Sequence, residues 1–428
     1  MIKPVVRAAF VAPFLLSALP VSAQDVPSIG AVLSNYADVA EAGYADSLAT
    51  AKILQGAIDK LIAKPTDTNL AAARAAWIAA RVPYQQTEAF RFGNKIVDDW
   101  EGKVNAWPLD EGLIDYVDSS YGLDNPENPL FTANVIASKS IMIGGEAVDL
   151  STITKAVLAE KLQEAGGVEA NVATGYHAIE FLLWGQDLNG TDAGAGIRRA
   201  TDFDTKNCTG GNCDRRAAYV KAVTDLLVDD LVWMAGQWGK DGDARKAVTV
   251  AKGNAGLKTI FTGLGSLSYG ELAGERMKLG LLLHDPEEEQ DCFSDNTHNS
   301  HYFDVIGIRN VYLGTYKRID GNEVKGPSVS DLVKAKSPRT DAAVRKALDA
   351  TVEKMAALRA RAEKVERYDQ MIGQGNDEGN AIVQASTDSL IAQAKEFERA
   401  MAVFELGPAQ FEGSDSLDDP SKVTTTKQ

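Results

Sequence analysis

Apolar residues recur at helical spacing along almost the whole chain, and alternating apolar and polar stretches are nearly absent. That pattern restricts the fold more than any other feature, because a chain patterned at a 3.6-residue period cannot pair as half-buried strands. From about Ile29 to Ala63 the apolar positions include Val32, Tyr36, Val39, Leu54, Ile58 and Leu61. Lys64-Pro65 breaks the run, and Thr66 or Asp67 caps the next helix, predicted over about Asn69–Phe92 with a kink at Pro83. Further helices are predicted over Thr132–Ser140, Ser151–Glu164, Val168–Leu183, Asp214–Trp238, Ala244–Thr262, Leu267–Leu283, Phe303–Leu313, Asp341–Arg367 and Glu378–Leu406. Residues 93–130 and 185–211 are rich in Gly, Asn, Asp and Pro and read as long loops. The expectation is an all-α protein of two tandem four-helix-bundle-like domains with long loops, residues 24–205 and 206–410, followed by a flexible polar tail over 411–428.

The 428 residues suffice for two or three domains with sizeable cores. Residues 1–23 have the layout of a secretory signal: Lys3 and Arg7, a short apolar stretch from Ala8 to Leu19, then Val21-Ser22-Ala23 as the cleavage site. The expected location is the periplasm, and no other apolar run is long enough to span a bilayer. The formal charge is −16, and cleavage at Ala23 removes two bases and no acid. Such a surface argues against nucleic acid or anionic lipid as partners and suits a protein that attracts cations. Cys208 and Cys213 flank a flexible Thr-Gly-Gly-Asn loop and are expected to form a local disulfide, consistent with export; Cys292 is left unpaired.

One of only four histidines lies in Gly175-Tyr176-His177-Ala178-Ile179-Glu180, continuing through Phe181-Leu182-Leu183-Trp184-Gly185. His177 and Glu180 are three apart, hence on one face of a helix, amid apolar neighbours. A carboxylate there is costly to bury unless it is paired or bound to a cation. The pair reads either as a metal or proton site, or as a buried histidine hydrogen-bonded to a buried glutamate. The remaining histidines, His284, His298 and His301, fall in one acidic stretch, His284–His301. Asp295, His298 and His301 are each three apart, so a helix capped by Ser294 or Asp295 would align them. Oxygen and nitrogen ligands of this kind suit hard and borderline cations. Glu88 and Arg91, also three apart, read by themselves as a surface salt bridge of little worth. Asp110, Glu111 and Asp115 read as solvated acids, within reach of a metal at most.

The Gly-x-His-x-x-Glu stretch resembles the signature of the imelysin family, exported bacterial proteins described as insulin-cleaving metallopeptidases or as iron-regulated proteins. Phe293-Ser294-Asp295-Asn296-Thr297-His298 resembles the iron-regulated protein A-like branch. So do Ala76-Trp77 with Arg81 and Tyr84, Glu88-Ala89-Phe90-Arg91-Phe92, Trp107-Pro108-Leu109-Asp110 and Asn310-Val311-Tyr312-Leu313-Gly314. The resemblance implies two four-helix bundles with the site between them. It makes His177 and Glu180 the leading metal ligands, Asp295 and His298 the next candidates, and Glu88, Arg91, Asp110, Arg276 and His301 residues that line the site. It implies a divalent or ferric ion, iron first and zinc second, and partners among iron-uptake or outer-membrane proteins.

Hydrolysis by a zincin requires His-Glu-x-x-His, with a glutamate as general base. The chain has neither that motif nor its inversion. Iron-binding bundles use inward Glu and Glu-x-x-His pairs, which is closer to the composition here. Metal binding in iron acquisition is therefore the favoured expectation, a metallopeptidase the second, and a peptide or small-ligand pocket without metal the third.

Overall fold

The computed structural model describes Met1, residues 26–123 and residues 125–423. The expected signal sequence, apart from Met1, lies outside the described residues. The protein is all-α, with two small hairpins. Helix α1 (Ile29–Ala63) opens on Ser28, whose hydroxyl accepts from the Ala31 N–H. Helix α2 (Asp67–Gln85) opens on Thr66, whose hydroxyl accepts from the Asn69 N–H at 3.3 Å. Instead of running kinked to Phe92, α2 ends two residues after Pro83, and the chain tightens into a 3-10 turn at Glu88–Phe90. Pro83 has no N–H to donate and its ring crowds the preceding turn.

Helix α3 (Gly175–Trp184) is shorter than predicted, because Gly175 stands at φ +81° and Val168–Thr174 is not helical. A Cβ on Gly175 would come within 2.4 Å of the Val104 carbonyl, which accepts the Tyr176 N–H at 2.7 Å. Glycine is thus required where α3 begins. Helix α4 (Cys213–Trp238) follows the Cys208–Cys213 disulfide, whose Cα atoms are 5.8 Å apart. Helix α1 packs on α2 and α4, and α3 lies against both of these. The Trp77 indole donates to the Tyr176 carbonyl at 2.9 Å and joins α2 to α3.

Helix α5 (Ala255–Ser266) continues as a π-helix over Leu267–Lys278. The wider turn places residues five apart in register, so Glu271 and Arg276 pair at 2.7 Å. Helices α6 (Thr297–Leu313) and α8 (Asp377–Val403) pack with this segment, α7 (Pro338–Lys364) packs on both of them, and α6 also touches α2. No described helix is long and apolar enough to cross a membrane.

Two expectations need correction. The helix predicted over Thr132–Ser140 is a series of turns leading into an antiparallel hairpin of Ser140–Ile143 and Glu146–Asp149; a second hairpin joins Thr315–Lys317 to Glu323–Lys325. Asn134, at φ +45°, interrupts the predicted helix, and Gly144-Gly145, both at positive φ, form the turn of the first hairpin. The tail expected to be flexible is docked over 411–418. The Phe411 ring lies so close to Gly265 that a Cβ there would meet it at 2.1 Å. Ser414 sits against Gly274, and the Ser416 hydroxyl donates to the Gly274 carbonyl at 3.0 Å. Ser414 and Ser416 are both buried.

Candidate metal centre

Helix α3 is buried along its entire length, so its polar side chains must find partners inside the protein. His177 Nδ1 and Glu180 Oε2 are 3.0 Å apart, and Asp291 Oδ1 lies 3.9 Å from the same imidazole nitrogen. One donor atom from each of the three falls within 4.8 Å of the others. Asp291 comes from the loop preceding α6, more than a hundred residues along the chain, and that loop is pinned at several points. The Trp107 indole donates to the Glu289 carbonyl at 3.0 Å, and the Gly196 N–H to the Phe293 carbonyl at 2.9 Å. The Ser294 N–H and hydroxyl both donate to Glu180 Oε1, at 3.0 and 2.6 Å.

Arg81 of α2, wholly buried, completes the cluster. Its guanidinium donates to Asp291 Oδ1 at 3.0 Å and lies over the rings of Tyr84 and Tyr176. Asp291 Oδ2 accepts from Asn296 and Ser300. Burial alone would push the Asp291 carboxyl up; Arg81 and His177, with the Ser300 and Asn296 donors, hold it below the ordinary value. Glu180 is pushed well up, first by burial and then by the Asp291 charge. His177 is driven down to about 3, by burial and then by Arg81, so its imidazole is neutral at pH 7. Its Nε2 is buried with no hydrogen-bond partner. A neutral imidazole and two carboxylates form a nitrogen and oxygen donor set of the kind that iron and zinc accept. The three residues fit a metal, with Arg81 as the resident positive charge that such an ion would join.

The structure separates the four residues expected to be ligands. His177 and Glu180 are together, and Asp291 fills the place expected of Asp295. The helix that was to align Asp295 with His298 and His301 begins only at Thr297, and Asp295 stands outside it at φ +52°. Asp295 instead joins Asp187 and Asp369 in a separate cluster. His298 is buried beside Asn299, its Nε2 3.1 Å from the amide nitrogen. His301 is buried with neither ring nitrogen partnered, edge-on to Tyr368.

Glu88 does not pair with Arg91. It is buried against Arg276 at 2.8 Å, and Arg276 also meets Asp304 at 3.2 Å, while Arg91 turns to Asp98, Glu101 and Glu271. Charged partners from distant segments, Arg276 for Glu88 and Glu271 for Arg91, draw the two side chains apart. Asp110 is buried, accepts from Asn128 and is not part of the three-residue cluster. Glu111 and Asp115 are buried as well, not solvated, and Asp115 is held by Arg198 and Arg216. Asp291 was hidden among the six acids of its stretch. The one available signal was Arg81, a charge in the apolar middle of a helix that demands an acid from elsewhere.

The all-α fold thus gathers a histidine and two carboxylates in its interior, a candidate set of metal donors. The chain belongs to the imelysin family, whose profile matches residues 40–397. It is 39% identical over 71 residues to the iron-regulated protein A of Synechococcus elongatus. That match spans 16% of this chain and 20% of the cyanobacterial one. A crystal structure described as that of an iron-regulated protein A precursor from Parabacteroides distasonis superposes with a TM-score of 0.62 at 18% identity, over 88% of this chain and 94% of that one. An imelysin-like protein from Psychrobacter arcticus gives a TM-score of 0.55 at 13% identity, over 90% of this chain and 99% of that one. At these identities the two structures establish the fold.

Proposed function

We propose that the chain is an exported, periplasmic protein of iron handling that binds a divalent or ferric ion, iron first and zinc second, through His177, Glu180 and Asp291. The observation that carries this reading is the meeting of an imidazole and two carboxylates from distant segments within 4.8 Å. The name of the Synechococcus relative supports iron as the metal. His177 is already in the neutral form that a ligand needs, so binding requires no proton release from it. The cation's charge favours the ionised form of Glu180, which burial opposes. Iron-uptake or outer-membrane proteins are the proposed partners.

Binding is favoured over hydrolysis on one point. A hydrolase needs a carboxylate free to take a proton from a bound water. Both carboxylates of the cluster are taken up as proposed ligands, and among the described residues no third carboxylate joins His177, Glu180 and Asp291 to act as that base.

Metal analysis of protein purified without chelator tests the proposal, comparing wild type with His177→Ala and Asp291→Asn. Both variants are expected to lose the iron or zinc that the wild type retains, and Asp295→Asn to keep it. Equal metal content in wild type and His177→Ala removes His177 from the ligand set. Insulin or casein digestion by the same samples is expected to be absent; digestion that disappears with His177→Ala would restore the peptidase reading.

A further inference from the structure

Four residues beyond Asp291, the same loop turns Asp295 toward a different set of groups. Asp295, Asp187 from the loop after α3, and Asp369 from the short helix Tyr368–Ile372 each offer a carboxylate oxygen within 4.8 Å of the others. Asp369 and Asp295 are 1% and 4% exposed. Neither oxygen of Asp369 has a hydrogen-bond partner, and Asp295 Oδ1 has none. Asp187 spends one oxygen on Asn189.

A second, independent observation comes from Glu289. It is fully buried, neither of its oxygens has a partner, and the charges of Asp369 and Asp295 act on it. Glu289 and Asp187, together with Glu111 and Glu287, line a small cavity beside the cluster, with about 10 Å³ open to a water-sized occupant. Buried carboxylates without donors are expensive, and native interiors leave few polar groups unpaired. The donors around these oxygens are few, Asn189 at Asp187, Thr297 beside Glu289 and the Gln370 N–H beside Asp369, and a cation answers the remaining negative charge at once. Arg367 offsets part of the charge at Asp295 only.

We propose that Asp187, Asp295 and Asp369, backed by Glu289, form a second cation site that takes a hard divalent ion, Ca²⁺ being the best fit. All the donors are oxygen, which separates this site from the histidine-containing one. A spacing of 4.8 Å or less matches twice a Ca²⁺–O distance of ~2.4 Å. The donors come from separate segments with irregular geometry, which Ca²⁺ tolerates and Mg²⁺, demanding a near-ideal octahedron, does not.

The test uses the full mature chain stripped with chelator. Ca²⁺ binding is followed by calorimetry and by thermal unfolding in wild type, Asp369→Asn, Asp295→Asn and His177→Ala. Wild type is expected to bind one Ca²⁺ and to melt at a higher temperature with it. The two Asn variants should bind ~10-fold or more weakly, at least the loss seen when a supporting group of a metal site is removed. Both should lose the thermal shift, and His177→Ala should keep it. Wild type that shows no response at millimolar Ca²⁺ overturns the proposal, as does an unchanged response in both Asn variants. A response lost in His177→Ala alone places the ion at the other cluster and also overturns it. If circular dichroism shows one Asn variant unfolded, the other decides.

Discussion

Asp291 and Asp295 lie four residues apart in one loop, are both buried, and face opposite circumstances. Asp291 is surrounded by donors, Arg81, Asn296 and Ser300, with the His177 imidazole 3.9 Å away. Its carboxyl is held below the ordinary value despite burial. Asp295 faces Asp187 and Asp369, and burial together with the Asp187 charge pushes it up to about 7. Burial is common to the two; the partners decide the sign. Asp291 is therefore satisfied by the protein itself, although His177 Nε2 beside it has no partner, whereas the acid cluster stores repulsion that protons or a cation relieve.

The largest expected effect is at the satisfied cluster. Arg81→Met leaves Asp291 as a buried charge without its counter-ion and should destabilise by about 3–5 kcal/mol in chemical unfolding. A loss under 1 kcal/mol would show that Asp291 does not depend on Arg81 and would erase the contrast. The next effect has the opposite sign. Asp369→Asn, measured in chelator, should stabilise the protein by about 1–3 kcal/mol by removing an unpartnered buried charge; a destabilised variant would mean that the carboxylate has a donor after all.

The pH dependence sharpens the comparison further. Asp295 and Asp369 sit at about 7 in the folded protein against an ordinary 3.8. Their contribution to stability is fully present below about 4 and is lost as pH rises through about 7. His177 and His301 sit at about 3 against 6.5. Their contribution is present above about 6.5 and is lost as pH falls toward 3. In chelator, Asp369→Asn should therefore hold its denaturation midpoint better than wild type between pH 5 and pH 8, and added Ca²⁺ should do the same for wild type. Parallel profiles for the two chains would contradict the raised carboxyls. The smallest effect is expected at Asp187, which is partly exposed and already bonded to Asn189. Asp187→Asn should shift stability by less than about 1 kcal/mol, a change visible in differential scanning calorimetry.

The all-α class and the long helices were legible because their apolar period is local information. α4 was predicted from Asp214 and begins at Cys213; α8 was predicted from Glu378 and begins at Asp377. The family signature pointed to His177 and Glu180 for the same reason, since three residues on a helix are always neighbours. The third member was not legible. Whether Asp291 or Asp295 faces α3 depends on where α6 begins, and a left-handed residue at 295 set that boundary. Glu88 misled in the same way, because its partner Arg276 lies 188 residues away. The π-turn that joins Glu271 to Arg276 has no signature in an apolar pattern read at 3.6 residues per turn.

The missing side chains at Gly265 and Gly274 let Phe411 and Ser414 settle onto the helix that carries Arg276. Residues 411–418 are thus a strap across the back of that helix, and shortening the protein at Gly407 would strip an inner wall, not trim a loose end. Affinity handles and crystallisation cuts should leave residues 411–423 in place.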